Sequence, residues 1–168
     1  GAIKIDNLKD FCKEKKIPCL GISDTSNLCG ALEFAENISK VGTQSIIGTQ
    51  IYFKFEDTTG LLPLIALNEN GYKRIIELSS RSYLENDALS DPHLDIKELL
   101  IDIEGVSLLS GTIQGLFGKL FEKGRLEEIS KLYKSLSLKF NDNFYLEIQR
   151  HGDQNEIAFE KFNLEQSL

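Results

Sequence analysis

Short runs rich in β-branched and aromatic residues alternate with helix-periodic stretches along the chain, and this alternation restricts the fold more than any other feature of the sequence. Residues 19–23, 45–53, 61–68, 106–110 and 144–148 read as strands. Between them, Leu8, Phe11 and Cys12 share a helical face that Pro18 terminates, and Leu28, Ala31, Leu32, Ala35 and Ile38 form a second apolar stripe. Asn27 is placed to cap that second helix and Gly42 to end it. Tyr72, Ile75, Ile76, Ser79 and Tyr83 mark a third helix, residues 94–100 a short one, and Leu126, Ile129, Leu132, Tyr133 and Leu136 the clearest; Ile157, Phe159 and Phe162 close the series. No hairpin dipeptide separates the strands, so crossover connections and parallel pairing are expected: an α/β fold of parallel βα repeats. Residues 19–23 are mostly apolar, as in a strand covered on both faces, and Pro63 weakens its own strand because it lacks a donor.

Nothing divides the chain. There is no internal repeat, low-complexity tract or shift in composition, and 168 residues with 41% hydrophobic content suffice for one core, so residues 1–168 are expected to form a single domain. Gly1 in place of an initiator Met, and an end at Gln166-Ser167-Leu168 inside a helix-like pattern, suggest a fragment of a longer chain. A net charge of -7 argues against a surface that neutralises nucleic-acid phosphates. No apolar run approaches the ~20 residues of a membrane span, and no signal pattern opens the chain, so a cytoplasmic location without membrane contact is expected. Cys12, Cys19 and Cys29 fit neither a disulfide framework nor paired zinc-ligand spacing; they read as small apolar fillers in a reducing compartment.

The chemistry-bearing residues are sparse. Metal-assisted phosphoester hydrolysis needs several His, Asp or Glu ligands converging on the ions. The chain has two histidines, His93 and His151, each in a polar, Pro- or Gly-flanked setting that suits a solvated or structural role. Gly21-Ile22-Ser23-Asp24-Thr25 lacks the second glycine of a nucleophile elbow. Residues 111–118 are Gly-rich, but Lys119 is not followed by Ser or Thr, so a tight strand-to-helix turn explains them better than a phosphate loop. Asp24 closes a strand on the face that carries function in α/β folds, and an Asx turn with Asn27 accounts for it equally well.

A series of ordered patterns goes further: residues 1–5 (Gly-Ala-Ile-Lys-Ile), residues 22–34 from Ile22-Ser23-Asp24-Thr25 to Phe34, Ile46-Ile47-Gly48, Asn68-Glu69-Asn70-Gly71-Tyr72, Leu109-Ser110-Gly111, and residues 144–152 ending in Arg150-His151-Gly152. Together they resemble the PHP domain at the N-terminus of bacterial DNA polymerase III alpha subunits. The resemblance implies a distorted seven-stranded, TIM-like βα barrel, here partial and lacking strands at both termini. It also implies metal ligands that this chain has lost. Metal-competent members carry a His where Thr25 stands, a Glu at Gln50, a His at Leu61 and a Cys at Thr112. An amide, two hydroxyls and an alkyl group are poor replacements for carboxylate, thiolate and imidazole.

The implied role is therefore a non-catalytic scaffold with no catalytic residue, metal or cofactor in this segment. Its partners would be the proofreading exonuclease and other replicative subunits. DNA contacts, Mg²⁺ and polymerisation would belong to domains outside it. The rival implication is a working metal-dependent phosphoesterase: a 3′–5′ exonuclease, a pyrophosphatase or a histidinol-phosphatase-like enzyme.

Overall fold

The computed structural model describes residues 4–87 and 90–166. Gly1, Ala2 and Ile3 of the first pattern, and Ser167 and Leu168 of the helix-like end, lie outside the described residues.

The chain opens with α1 (Ile5–Lys15), which stops where Lys16 turns left-handed (φ 52°) ahead of Pro18. Cys12 is its buried residue, whereas Phe11 faces solvent. Strand β1 (Cys19–Thr25) leads to α2 (Ala31–Ser39). Asn27 does not cap α2: its Oδ1 accepts from the Cys29 N–H at 3.0 Å, closing an Asx turn, and Gly30 holds the cap position without a side-chain bond. Cys12, Phe34 and Ile38 form a small core with Leu20, Ile22 and Ile47 packed against it. Alternate residues of β1 (Cys19, Gly21, Ser23 and Thr25) are exposed, so this strand is covered on one face and not on both. Of the three cysteines only Cys12 is buried, and all are free thiols.

Strand β2 (Gln44–Phe55) runs parallel to β1, with Thr25 opposite Gln50. The next connection is not a crossover. Glu56 and Asp57 form a two-residue turn, Glu56 at φ 53°, and β3 (Thr58–Ala66) returns antiparallel with Gln50 opposite Pro63. This hairpin lacks the Asn-Gly or Asp-Gly signature and is held from outside. Arg125 pairs with Glu56, with Asp57 at 3.0 Å and with Glu128, and its guanidinium lies 5.1 Å from the centroid of the Phe55 ring. Lys123 Nζ donates to Asp57 at 3.0 Å and to Thr58 Oγ1 at 2.7 Å.

Beyond β3 come α3 (Glu69–Leu84), the two-residue β4 (Leu94–Asp95) leading into a 3-10 turn instead of an α-helix, and β5 (Val106–Leu109). Then follow α4 (Leu116–Glu122), which the sequence periodicity did not reveal, α5 (Leu126–Phe140), β6 (Phe144–Tyr145) and α6 (Gln154–Gln166). The main sheet order is β1-β2-β3-β5-β6, and β4 pairs with β2 beyond the end of β1. The β1·β2, β2·β4 and β5·β6 pairs are parallel, while β2·β3 and β3·β5 are antiparallel, so the all-parallel expectation is corrected.

One face of the sheet carries the core. Ile51, Phe53, Leu62, Leu64 and Leu108 are fully buried against Ile75 and Leu78 of α3, Phe117 and Leu120 of α4, and Ile129 and Leu136 of α5. Phe121 stacks on Phe159 and Phe162 at 5.3 and 5.5 Å, which seats α6. The buried face of α3 is Gly71, Arg74, Ile75, Leu78, Ser79 and Ser82; Ile76 and Tyr83 point outward, one helical step off the expected stripe.

The Asn68–Tyr72 pattern has a packing explanation. Asn68 Oδ1 caps α3 by accepting from the Gly71 N–H at 3.0 Å, and a Cβ on Gly71 would fall 1.7 Å from the Gly105 carbonyl oxygen. That carbonyl also accepts from the Leu67 N–H at 2.8 Å. The prediction is that Asn68→Ala costs about 1 kcal/mol of stability as a lost cap. Gly71→Ala, which forces two backbones apart, costs about 3 kcal/mol or more in urea denaturation. Equal, small losses would contradict the lock.

Ion pairs set the pH response. Lys123, Arg81, Arg125, His151 and Arg150, each hydrogen-bonded to its partner, hold Asp57, Glu85, Glu128, Glu156 and Glu160 below their ordinary values. A carboxylate depressed in the folded state stabilises above its unfolded pKa, about 4.5 for Glu, and loses that contribution as pH falls through the folded value. The melting temperature is predicted to decline below about pH 4.5, with a shallower decline in 1 M salt because these pairs are at the surface. A melting temperature that rises between pH 5 and pH 3 would show that other groups dominate.

Candidate functional site

The face of β2 and β3 opposite the core presents Gln50, Tyr52, Leu61 and Pro63, because side chains alternate along each strand. These residues form one wall of a cavity of about 520 Å³. Gly111, Thr112, Gln114 and Gly115 of the β5–α4 turn, Lys119 and Glu122 of α4, and Glu147 and Gln149 after β6 complete it. The turn through residues 111–118 thus joins a strand to a helix, with Gly111 at φ 76°. Thr112 Oγ1 accepts from the Gln114 N–H at 3.1 Å, which holds the turn closed.

Three of the four suspected ligand positions, Gln50, Leu61 and Thr112, therefore line a single cavity. The fourth, Thr25, is exposed at the end of β1 and lies beside Gln50 in register on the same sheet face, though it is not part of that cavity wall. Asp24 turns the other way. Its carboxylate approaches Gly30, where a Cβ would sit 3.0 Å from Oδ2, and its carbonyl accepts from Thr49 Oγ1 at 2.8 Å. The two histidines are elsewhere. His93 Nδ1 bonds the Asp91 carbonyl at 2.8 Å, and His151 bonds Glu156 through its backbone N–H at 2.7 Å and its Nδ1 at 2.8 Å. With the Arg150–Glu160 pair at 2.6 and 2.9 Å, His151 fastens the start of α6, which gives the Arg150-His151-Gly152 pattern a structural reading.

The polar groups of the wall to which the sequence assigned no site role are Lys119, Glu122, Glu147 and Gln149. Glu147 Oε1 accepts from Gln149 Nε2 at 2.6 Å, and the Glu147 N–H donates to Ser110 Oγ at 2.9 Å. Lys119 Nζ donates to the Thr59 carbonyl at 2.8 Å. The one usable signal in the sequence was the i, i+2 alternation through residues 145–149, which sets Glu147 and Gln149 on one side.

A metal centre of the kind this fold suggests would need imidazole, thiolate or several carboxylates at these positions. The residues present do not fit it. Gln50 offers a neutral amide, Thr25 and Thr112 offer hydroxyls and Leu61 offers nothing, so Glu122 and Glu147 are the carboxylates of the wall; Glu147 accepts from Gln149 through Oε1 and keeps Oε2 buried without a hydrogen-bond partner among the described residues. Among the described residues no three His, Cys, Asp or Glu side chains converge to hold an ion. No described helix is long and apolar enough to cross a membrane.

Comparison with known proteins places this geometry. Residues 1–151 match the family model described as the PHP domain. The chain is 35% identical over 173 aligned residues to the DNA polymerase III subunit alpha of Caulobacter vibrioides, covering 95% of this chain and 15% of that protein. It is 34% identical to that of Rickettsia felis (89% and 12%) and 31% identical to that of Vibrio cholerae (98% and 14%). The chain thus spans well under a fifth of the length of these relatives. Among solved structures, a Bifidobacterium adolescentis protein named as a metal-dependent phosphoesterase aligns over 100% of this chain and 80% of its own, with a TM-score of 0.49 and 12% identity, too distant to carry an argument. On the match over residues 1–151, the chain belongs to the PHP domain family.

Proposed function

We propose that this chain is the PHP domain of a cytoplasmic replicative DNA polymerase, a DNA polymerase III alpha subunit, and that it acts as a non-catalytic scaffold docking the proofreading exonuclease and other replicative subunits. Polymerisation, its Mg²⁺ and the contacts to DNA are assigned to parts of such a polymerase outside residues 1–168. The observation that carries the reading is the donor set of the cavity: of the positions where the resemblance implies metal ligands, Gln50, Leu61 and Thr112 lie in its wall and Thr25 beside it. The net charge of -7 suits protein docking better than a DNA channel.

The rival reading, a working phosphoesterase acting as a 3′–5′ exonuclease, a pyrophosphatase or a histidinol-phosphatase-like enzyme, draws on the two carboxylates in the cavity wall, Glu122 and Glu147. Two carboxylates with no imidazole or thiolate beside them among the described residues fall short of the ligand set that such chemistry uses.

The test is hydrolysis of a single-stranded oligonucleotide, pyrophosphate and a chromogenic phosphodiester with Mn²⁺ or Zn²⁺. No turnover above a heat-denatured control is expected, while metal-dependent turnover abolished by Glu147→Gln would establish the rival. The combined variant Thr25→His, Gln50→Glu, Leu61→His and Thr112→Cys is expected to bind Zn²⁺ more tightly without gaining turnover, because nothing orients the new ligands. It should also melt lower without metal, since new ionisable groups replace neutral ones on a half-buried face. Turnover restored in that variant would show a scaffold still competent for hydrolysis.

A further inference from the structure

Asn70 is the asparagine of this chain that a glycine follows; every other precedes a residue with a side chain. That neighbour decides its chemistry, because the backbone nitrogen of a glycine, with no Cβ to block the approach, can reach the side-chain carbonyl carbon of the residue before it. In an open chain the Gly71 nitrogen passes its proton to a solvent base and attacks Asn70 Cγ. The Cγ–Nδ2 bond breaks, ammonia leaves and a five-membered succinimide remains. Water then opens the ring. Cleavage of the new N–Cγ bond gives aspartate, whereas cleavage between the nitrogen and the main-chain carbonyl carbon of residue 70 gives isoaspartate, whose backbone runs through Cβ and Cγ and is one methylene longer.

The fold withholds what the reaction needs, although it leaves the side chain in water. Asn70 is exposed in the first turn of α3. The Gly71 N–H donates to Asn68 Oδ1 at 3.0 Å, which occupies the attacking nitrogen. The Tyr72 N–H donates to the Asn68 carbonyl at 3.0 Å, which closes the turn around residue 70 and holds it at helical ψ, away from the ring-closing geometry. Gly71 is also pressed against Gly105, whose carbonyl oxygen would lie 1.7 Å from a Cβ there and accepts from the Leu67 N–H at 2.8 Å.

The same crowding separates the two products. Aspartate keeps the backbone and adds a negative charge in the first turn, where the helix dipole favours it. Isoaspartate pushes the Gly71 nitrogen a methylene away from Asn68 Oδ1 with the Gly105 backbone in the way, so the cap cannot re-form. We propose that Asn70 is a deamidation site guarded by its own helix cap. Each opening of the first turn, the part of a helix that frays most readily, exposes it to conversion, and the isoaspartate formed leaves the turn unable to close.

The experiment incubates the complete polypeptide that carries residues 1–168 at mildly alkaline pH, native and in urea. The Asn70 peptide is then quantified by mass spectrometry, with electron-transfer fragmentation separating isoaspartate from aspartate. In urea Asn70 is expected to convert ahead of the other asparagines, and in the native protein about tenfold more slowly or less. Asn68→Ala should speed native conversion about fivefold, the change in opening that loss of a cap of about 1 kcal/mol gives, and Asn68→Asp, which keeps an acceptor, should hold the parent rate. Phe159→Leu, which loosens the seat of α6, should lower the melting temperature without changing the rate. Asn70→Asp should melt with the parent and the isoaspartate fraction below both. Conversion in urea no faster at Asn70 than at the other asparagines would overturn the site. Native conversion as fast as in urea, an unchanged rate in Asn68→Ala, or equal acceleration in Phe159→Leu would overturn the guard. An isoaspartate fraction that melts with the parent would overturn its effect on the turn.

Discussion

The two-residue turn at Glu56–Asp57 fixes the register of β2 against β3, and the division of the molecule into a packed side and an open side follows from that register. With Gln50 opposite Pro63, Ile51, Phe53, Leu62 and Leu64 enter the core, while Gln50, Tyr52 and Leu61 face the cavity. A slip of β2 by one residue would turn Gln50 and Tyr52 into the core and Ile51 and Phe53 into water, at about 1.5–3 kcal/mol for each apolar chain exposed. The turn itself has weak intrinsic preference, with a glutamate at positive φ. Its geometry is imposed by Arg125 and Lys123 reaching across from the α4–α5 junction, so the hairpin and the helical layer specify each other.

This register also explains why the positions singled out by the resemblance come together although none of them carries an imidazole, thiolate or carboxylate. β1 brings Thr25 beside Gln50, the hairpin brings Leu61 and Pro63 to the same face, and Ser110 with Gly111 bends the chain so that Thr112 closes the far wall. The shape of the cavity and the chemistry of its wall depend on different residues: main-chain pairing and core packing hold the shape, and the outward-facing side chains set the chemistry.

Much of this was legible in the sequence, and the failures have physical causes. The strand at residues 45–53 and the helix over residues 126–136 were visible because their periods are strong. The hairpin was not, because its turn carries Glu-Asp and is stabilised by a cation almost seventy residues away. α4 was hidden by Gly115 and Gly118; the latter is required because a Cβ there would meet the Ile113 carbonyl at 1.9 Å, a contact that no local pattern announces. The sequence located Gln50, Leu61 and Thr112 through resemblance. It assigned no site role to Lys119, Glu122, Glu147 or Gln149, whose place in the cavity depends on where β6 and α4 pack.

On the proposed reading, the cavity lined by Gln50, Leu61 and Thr112 holds no divalent ion. Anomalous diffraction at the zinc edge, from crystals grown with excess Zn²⁺, tests it most directly. No anomalous peak is expected in that cavity, even where surface carboxylates or His151 bind stray zinc. A peak at a coordination distance of about 2.0–2.2 Å from Glu147 or Gln50 would contradict it.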